Sequence, residues 1–143
     1  MSAGSAGSAK ERVGSIMIDT GSGYFDWTIV ADGVVEVSVR DGVELQGEHI
    51  AKAFALVKEA MPEKFCVLAH RHETYSHTLE SMIVLSELEE ILLYAVVVNS
   101  AHQRELGSSH RMINPKVRLF GDRKEALETC IQLINTNKLQ GGA

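Results

Sequence analysis

Residues 66–77 read CVLAHRHETYSH and gather His70, Arg71, His72, Glu73 and His77 behind a short apolar run. Imidazole and carboxylate groups are the ligands that borderline divalent metals take, and imidazole also exchanges protons near neutral pH. If the apolar run is a strand that continues, alternation puts His70 and His72 on one side and Arg71 on the other. His70 and His72 then converge with His77. No helical His-x-x-x-His and no cysteine pair accompanies them, and those are the spacings of ordinary zinc sites. The expectation is a ligand-binding polar surface contacted by His70, His72 and His77, without a resident metal or cofactor.

A second polar group follows another apolar run, YAVVV, and holds His102, Arg104, His110 and Arg111 with Gln103 and Glu105 between them. Segments leaving the C-terminal ends of central strands border the crevice in which open α/β sheets bind ligands. The two groups are therefore expected to share one crevice, where His102, Arg104 and Arg111 offer cations to a small anion or a lipid head group. The alternative at both places is a solvated face. Machinery for covalent chemistry is not legible: no serine stands in Gly-x-Ser-x-Gly, no glycine-rich loop opens a helix, and GSGYF precedes the first expected strand. Glu87, Glu89 and Glu90 read as a wet helical edge, not as an acid and base pair. A protein that is not an enzyme is expected.

The elements that must carry these groups follow from periodicity. In YFDWTIVADGVVEVSVRDG, Phe25, Trp27 and Ile29 alternate on one strand and Val35, Val37 and Val39 on the next. Asp32-Gly33 supplies the positive φ of a tight hairpin between them. Ile50, Ala53, Phe54, Val57 and Met61 fall at helical spacing, and Pro62 closes that helix. FCVLA is the continuous apolar run of a strand covered on both faces. Leu79, Met82 and Ile83 predict a short helix. Leu88–Leu92 reads as a helical turn before a second central strand over Tyr94–Val98. Ser100 with Gln103 forms a capping box for the next helix, which Asn114-Pro115 breaks, and Asp122 with Glu125 forms another before the last. KVRLF lies between as a strand. The order β-β-α-β-α-β-α-β-α implies an α/β fold with a mixed, mostly parallel sheet and an N-terminal β-hairpin. An exposed edge near Val34–Val39 would offer pairing to a second copy.

The 143 residues, 45% hydrophobic, suit one packed domain, expected over 13–136. The Ser-Ala-Gly repeat is expected to leave 1–12 a flexible tail, and 137–143 to fray. A formal charge of −5 repels phosphate backbones and anionic bilayers, so nucleic acid is not an expected partner. No apolar run approaches the roughly 20 residues of a membrane span, and the N-terminus lacks the apolar core of a signal peptide. Cys66 and Cys130, the two cysteines, sit in apolar patterns and read as buried free thiols of a reducing, cytoplasmic compartment.

The hairpin, the helix before FCVLA, the stretch LLYAVVVNSAHQRELGS and the ending NPKVRLFGDRKEALETCIQLI together resemble the small bacterial STAS-like, SpoIIAA-like domains. The resemblance runs over about residues 22–136, and the α/β core is one such domains share with CRAL-TRIO lipid carriers. It implies a regulatory, protein-binding role in the cytoplasm, exercised on another protein or on its own copy as a homodimer. In such switches a serine at the N-terminus of the helix after the central strand is phosphorylated. Ser76 is the equivalent here, flanked by Thr74 and Thr78, although the Asp-Ser-Ser-Gly run of the family is missing. The plainer reading makes Ser76 or Thr78 the cap of that helix. The alternative function is a small-molecule or lipid carrier using the crevice beside His70–His77 and His102–Arg111, with Tyr24, Phe25, Trp27 and Phe54 around an apolar pocket.

Overall fold

The computed structural model describes residues 11–12, 15–18, 25–39, 44–61, 63–70 and 76–141. In chain order they form β1 (Glu11–Arg12), β2 (Ser15–Ile18), β3 (Phe25–Ala31), β4 (Val34–Val39), β5 (Glu44–Leu45), α1 (Gly47–Ala60), β6 (Phe65–His70), β7 (Ser76–His77), α2 (Leu79–Ser86), β8 (Ile91–Val97), α3 (Ala101–Ile113), β9 (Val117–Phe120) and α4 (Arg123–Gly141). The expected order is present in β3-β4-α1-β6-α2-β8-α3-β9-α4. Among these five strands the β3–β4 ladder is antiparallel and the other three are parallel.

Gly33 adopts φ 76°, the left-handed conformation that the Asp32-Gly33 pair predicts, and so lets β3 fold back on β4. The sheet order is β1-β2-β3-β4-β6-β8-β9. This corrects two expectations. β1 and β2 extend the antiparallel side beyond the hairpin, so Glu11 and Arg12 belong to a strand instead of a tail. β4 is bracketed by β3 and β6, so Val34–Val37 has no free edge for a second copy. The reason lies in burial: Val34 and Val35 are both fully buried, which requires cover on both faces, as an interior strand has.

Two cores follow from that alternation. On one face Trp27, Val35, Val37, Val67 and Tyr94 pack with Ile50, Phe54 and Val57 of α1 and Leu85 of α2. On the other, Val34, Cys66, Leu68, Ala95 and Phe120 pack with Ala126, Cys130 and Ile134 of α4. Burying a side chain such as Phe65 or Ile91 contributes roughly 1.5–3 kcal/mol, so these two layers hold most of the stability. Cys66 and Cys130 are free and fully buried, with the Cys66 sulfur 3.9 Å from the Cys130 carbonyl. The hydrogen bond to Cys130 and burial push the Cys66 thiol up.

Local boundaries also depart from expectation. β8 begins at Ile91, so Ile91 and Leu92 belong to a strand and not to a helical turn. Pairing with β6 decides this, because Ile91 lies opposite Phe65. α4 runs to Gly141, into the segment 137–143 expected to fray.

Candidate functional site

The C-terminal ends of the parallel strands and the starts of α2, α3 and α4 make one rim of the sheet. Glu36 and His70 stand on its α4 face, on neighbouring strands. His70 Nε2 lies 2.5 Å from Glu36 Oε2. Arg123, the first residue of α4, donates from Nε to Oε2 at 2.8 Å and from Nη2 to Oε1 at 2.9 Å. Hydrogen bonds from Arg123 and from His70 hold the Glu36 carboxyl down at about 2, against the opposing effect of burial. The bidentate fork fixes the guanidinium plane as well as its distance. Chemically the group is an ionised tie between sheet and helix, with His70 as its second donor.

Sequence reasoning did not single out Glu36 and Arg123. A signal was available: a cation in the first turn of a helix opposes the helix dipole, so Arg123 there implies an anion elsewhere in the fold. The adjacent Asp122 Oδ1 accepts from Lys124 N at 2.8 Å and caps the helix, while no bond from Glu125 back to the cap is among those of the described residues.

The other expected residues separate. His72 lies outside the described residues. Ser76 and His77 are described as backbone only, in β7 paired with β5. Thr78 is the cap of α2: its side chain accepts from Ser81 N at 3.1 Å, which decides between it and Ser76 for that role. His102 and Arg104 are exposed near the start of α3, where Ser100 accepts from Gln103 N at 3.1 Å. Arg111 stands in the last turn of that helix, away from the rim. α3 lies on the α1 and α2 side, since Gly107 meets Leu119 of that core. His70 thus shares an end of the sheet with His102 and Arg104 but stands on the opposite face of it from α3.

α2 has an unusual surface. Its sequence, LESMIVLS, is apolar nearly all round, yet only Ser81 and Leu85 are buried. Leu79 is 60% exposed and Ile83 40%. Four residues apart, they form one stripe along the helix.

Phe25, Trp27 and Phe54 do border an apolar cavity, as the sequence suggested; Tyr24 lies outside the described residues. Its volume is ≈60 Å³, small beside the roughly 300–1,000 Å³ of common ligand pockets. A wider cleft of ≈580 Å³ opens at the far pole of the sheet, between Asp32, Lys64 and Lys138, and holds none of the expected site residues. Lys138 is paired with Asp32 across it. Among the described residues no helix is long and apolar enough to cross a membrane.

Strand order and helix placement define the class: an α/β domain whose mixed, mostly parallel sheet is covered by helices on both faces. No protein-family model and no curated protein matches the chain. A similar solved structure is the crystal structure of an uncharacterised DUF3478-family protein with a SpoIIAA-like fold from Shewanella loihica PV-4. It has 15% sequence identity and a TM-score of 0.49, over 68% of this chain and 83% of that one. The topology, not this likeness, carries the fold assignment.

Proposed function

We propose that this α/β domain is a STAS-like, non-enzymatic regulatory module that acts by binding another protein or a second copy of itself through α2. The observation that carries this reading is the apolar, half-uncovered surface of that helix. A helix apolar on all sides is normally buried, so Leu79 and Ile83 in water mark a face that a partner covers. The rim's polar groups support the same reading: Glu36, His70 and Arg123 are engaged with one another in joining α4 to the sheet. Function on such a fold resides in a surface and not in the scaffold.

The test is purification from the native host of the wild-type chain and of the double variant Leu79→Glu, Ile83→Glu, each checked for helix content by circular dichroism. Native mass spectrometry is expected to show one stoichiometric protein partner, or a dimer, with the wild type and a bare monomer with the variant. Bare monomer in both, or a partner retained by the folded variant, would overturn the reading.

A further inference from the structure

Trp27 is the chain's single tryptophan. It is 1% exposed, and its indole Nε1 has no hydrogen-bond partner among the described residues. Buried donors in folded proteins are nearly always paired, because the hydration they lose must be replaced. Trp27 packs at 5.3 Å from the Phe25 ring and edge-on at 5.1 Å to Phe54, and all three line the ≈60 Å³ cavity. Tyr94 lines it too, but its hydroxyl already donates to the Leu85 carbonyl at 2.7 Å. The remaining walls are valine, leucine, isoleucine and alanine side chains, with Gly107 and His110 contributed by α3.

This composition discriminates between occupants. A buried water needs two to four polar partners, roughly, to offset its loss of bulk hydrogen bonds. Here the indole N–H and one imidazole, at the lower end of that range, stand among apolar walls, so a water would leave most of the surface around it without a polar partner. An occupant with an apolar body and a single acceptor satisfies the donor and leaves the walls their contacts. Size narrows the class. A cavity of about 150 Å³ admits benzene, so ≈60 Å³ suits an occupant of two or three heavy atoms. No acyl chain fits.

We propose that this cavity is a binding site for a small neutral molecule with one hydrogen-bond acceptor, a two-carbon alcohol or carbonyl compound, whose oxygen accepts from Trp27 Nε1. The site stands on the α1, α2 and α3 side of the sheet, across from the Glu36–His70–Arg123 group, and is independent of the α2 surface reading. α3 is its cover: the helix contributes Gly107 and His110 to the lining, and Gly107 is its one buried residue. Occupancy would add contacts beneath a helix that otherwise has few.

The single tryptophan makes the test direct. In full-length protein labelled with ¹⁵N at tryptophan, the one indole N–H resonance is followed during titration with ethanol, and separately under xenon, which fills space without accepting a bond. The per-atom ceiling on affinity for very small ligands sets the tightest dissociation constant at about 1 mM. The expected result is a saturable downfield shift with ethanol in the millimolar range, a different and smaller shift with xenon, and at least tenfold weaker ethanol binding in Val96→Leu. Val39→Leu fills the cavity from the β4 side and serves if the first variant fails to fold. A shift linear in ethanol, equal saturation in a folded cavity-filling variant, or a resonance that responds to neither probe would overturn the proposal.

Discussion

Replacing Glu36 by glutamine removes the charge at the rim and keeps the shape of the side chain. The carboxyl titrates at about 2 in the folded protein against an ordinary 4.5. A shift of that size corresponds to about 3 kcal/mol of folded-state stabilisation. Solvent weakens the pair, because the Arg123 and His70 side chains are 45% and 32% exposed, so about 2 kcal/mol is the expected loss at pH 7. For a domain near this size that lowers Tm by roughly 8 °C. The sign of the pH dependence follows from the direction of the shift. A carboxyl depressed on folding contributes fully above its unfolded value, and the contribution disappears as pH falls from about 4.5 through about 2. Glu36→Gln has no such proton to take up, so the stability gap to wild type should close across that window. Urea denaturation at pH 7 and at pH 3 measures it. A gap below about 0.5 kcal/mol at pH 7, within the range of ordinary surface substitutions, or a gap that persists undiminished as pH approaches 2, would refute the assignment of Glu36 as the centre of this tie.

Gly33→Ala forces a side chain into left-handed backbone, at a cost of roughly 1–2 kcal/mol. It also places a Cβ 2.9 Å from Ile134 Cδ1 and 3.0 Å from Cγ2 in the α4 core. Chemical denaturation should show a loss at or above that range, and a variant as stable as wild type would mean the hairpin tolerates another turn. Thr78→Ala removes the cap of α2 and should cost about 1 kcal/mol, with Thr78→Ser restoring most of it. Thermal melts that rank the serine variant with the alanine would show that the hydroxyl does not serve as the cap.

Much of this fold could be read from the chain because local and long-range preferences agree. Asp32-Gly33 announces the turn, FCVLA announces a covered strand, and the α1 stripe from Ile50 to Met61 announces the layer that covers it. The reading failed where a segment is too short to show a period. Ile16, Met17 and Ile18 of β2 make an apolar patch that only pairing with β3 turns into a strand. Ile91 and Leu92 suit a helix or a strand equally, and the pairing of Ile91 and Leu93 with β6 on either side of Leu92 decides. At the rim, His70 was legible as a polar group at a strand's end. Its partner Glu36 reads as one more wet residue of β4 until parallel pairing brings β4 beside β6. The separation of His70 from His102 and Arg104 could not be read, since which face a helix covers depends on the handedness of the crossovers and not on residue type. Trp27 was legible as a strand residue facing the core and as a wall of a pocket; that its nitrogen has no partner among the described residues shows only once every neighbour is in place.

With β4 enclosed, the margins of the sheet among the described residues are β1 and β9. The first is Glu11–Arg12, and the second is four residues long with exposed Arg118 at its middle. Short, charged borders of this kind discourage the lateral addition of further strands. At high concentration the protein should therefore stay free of fibrils, and any assembly it forms should be closed, of defined size and joined helix to helix.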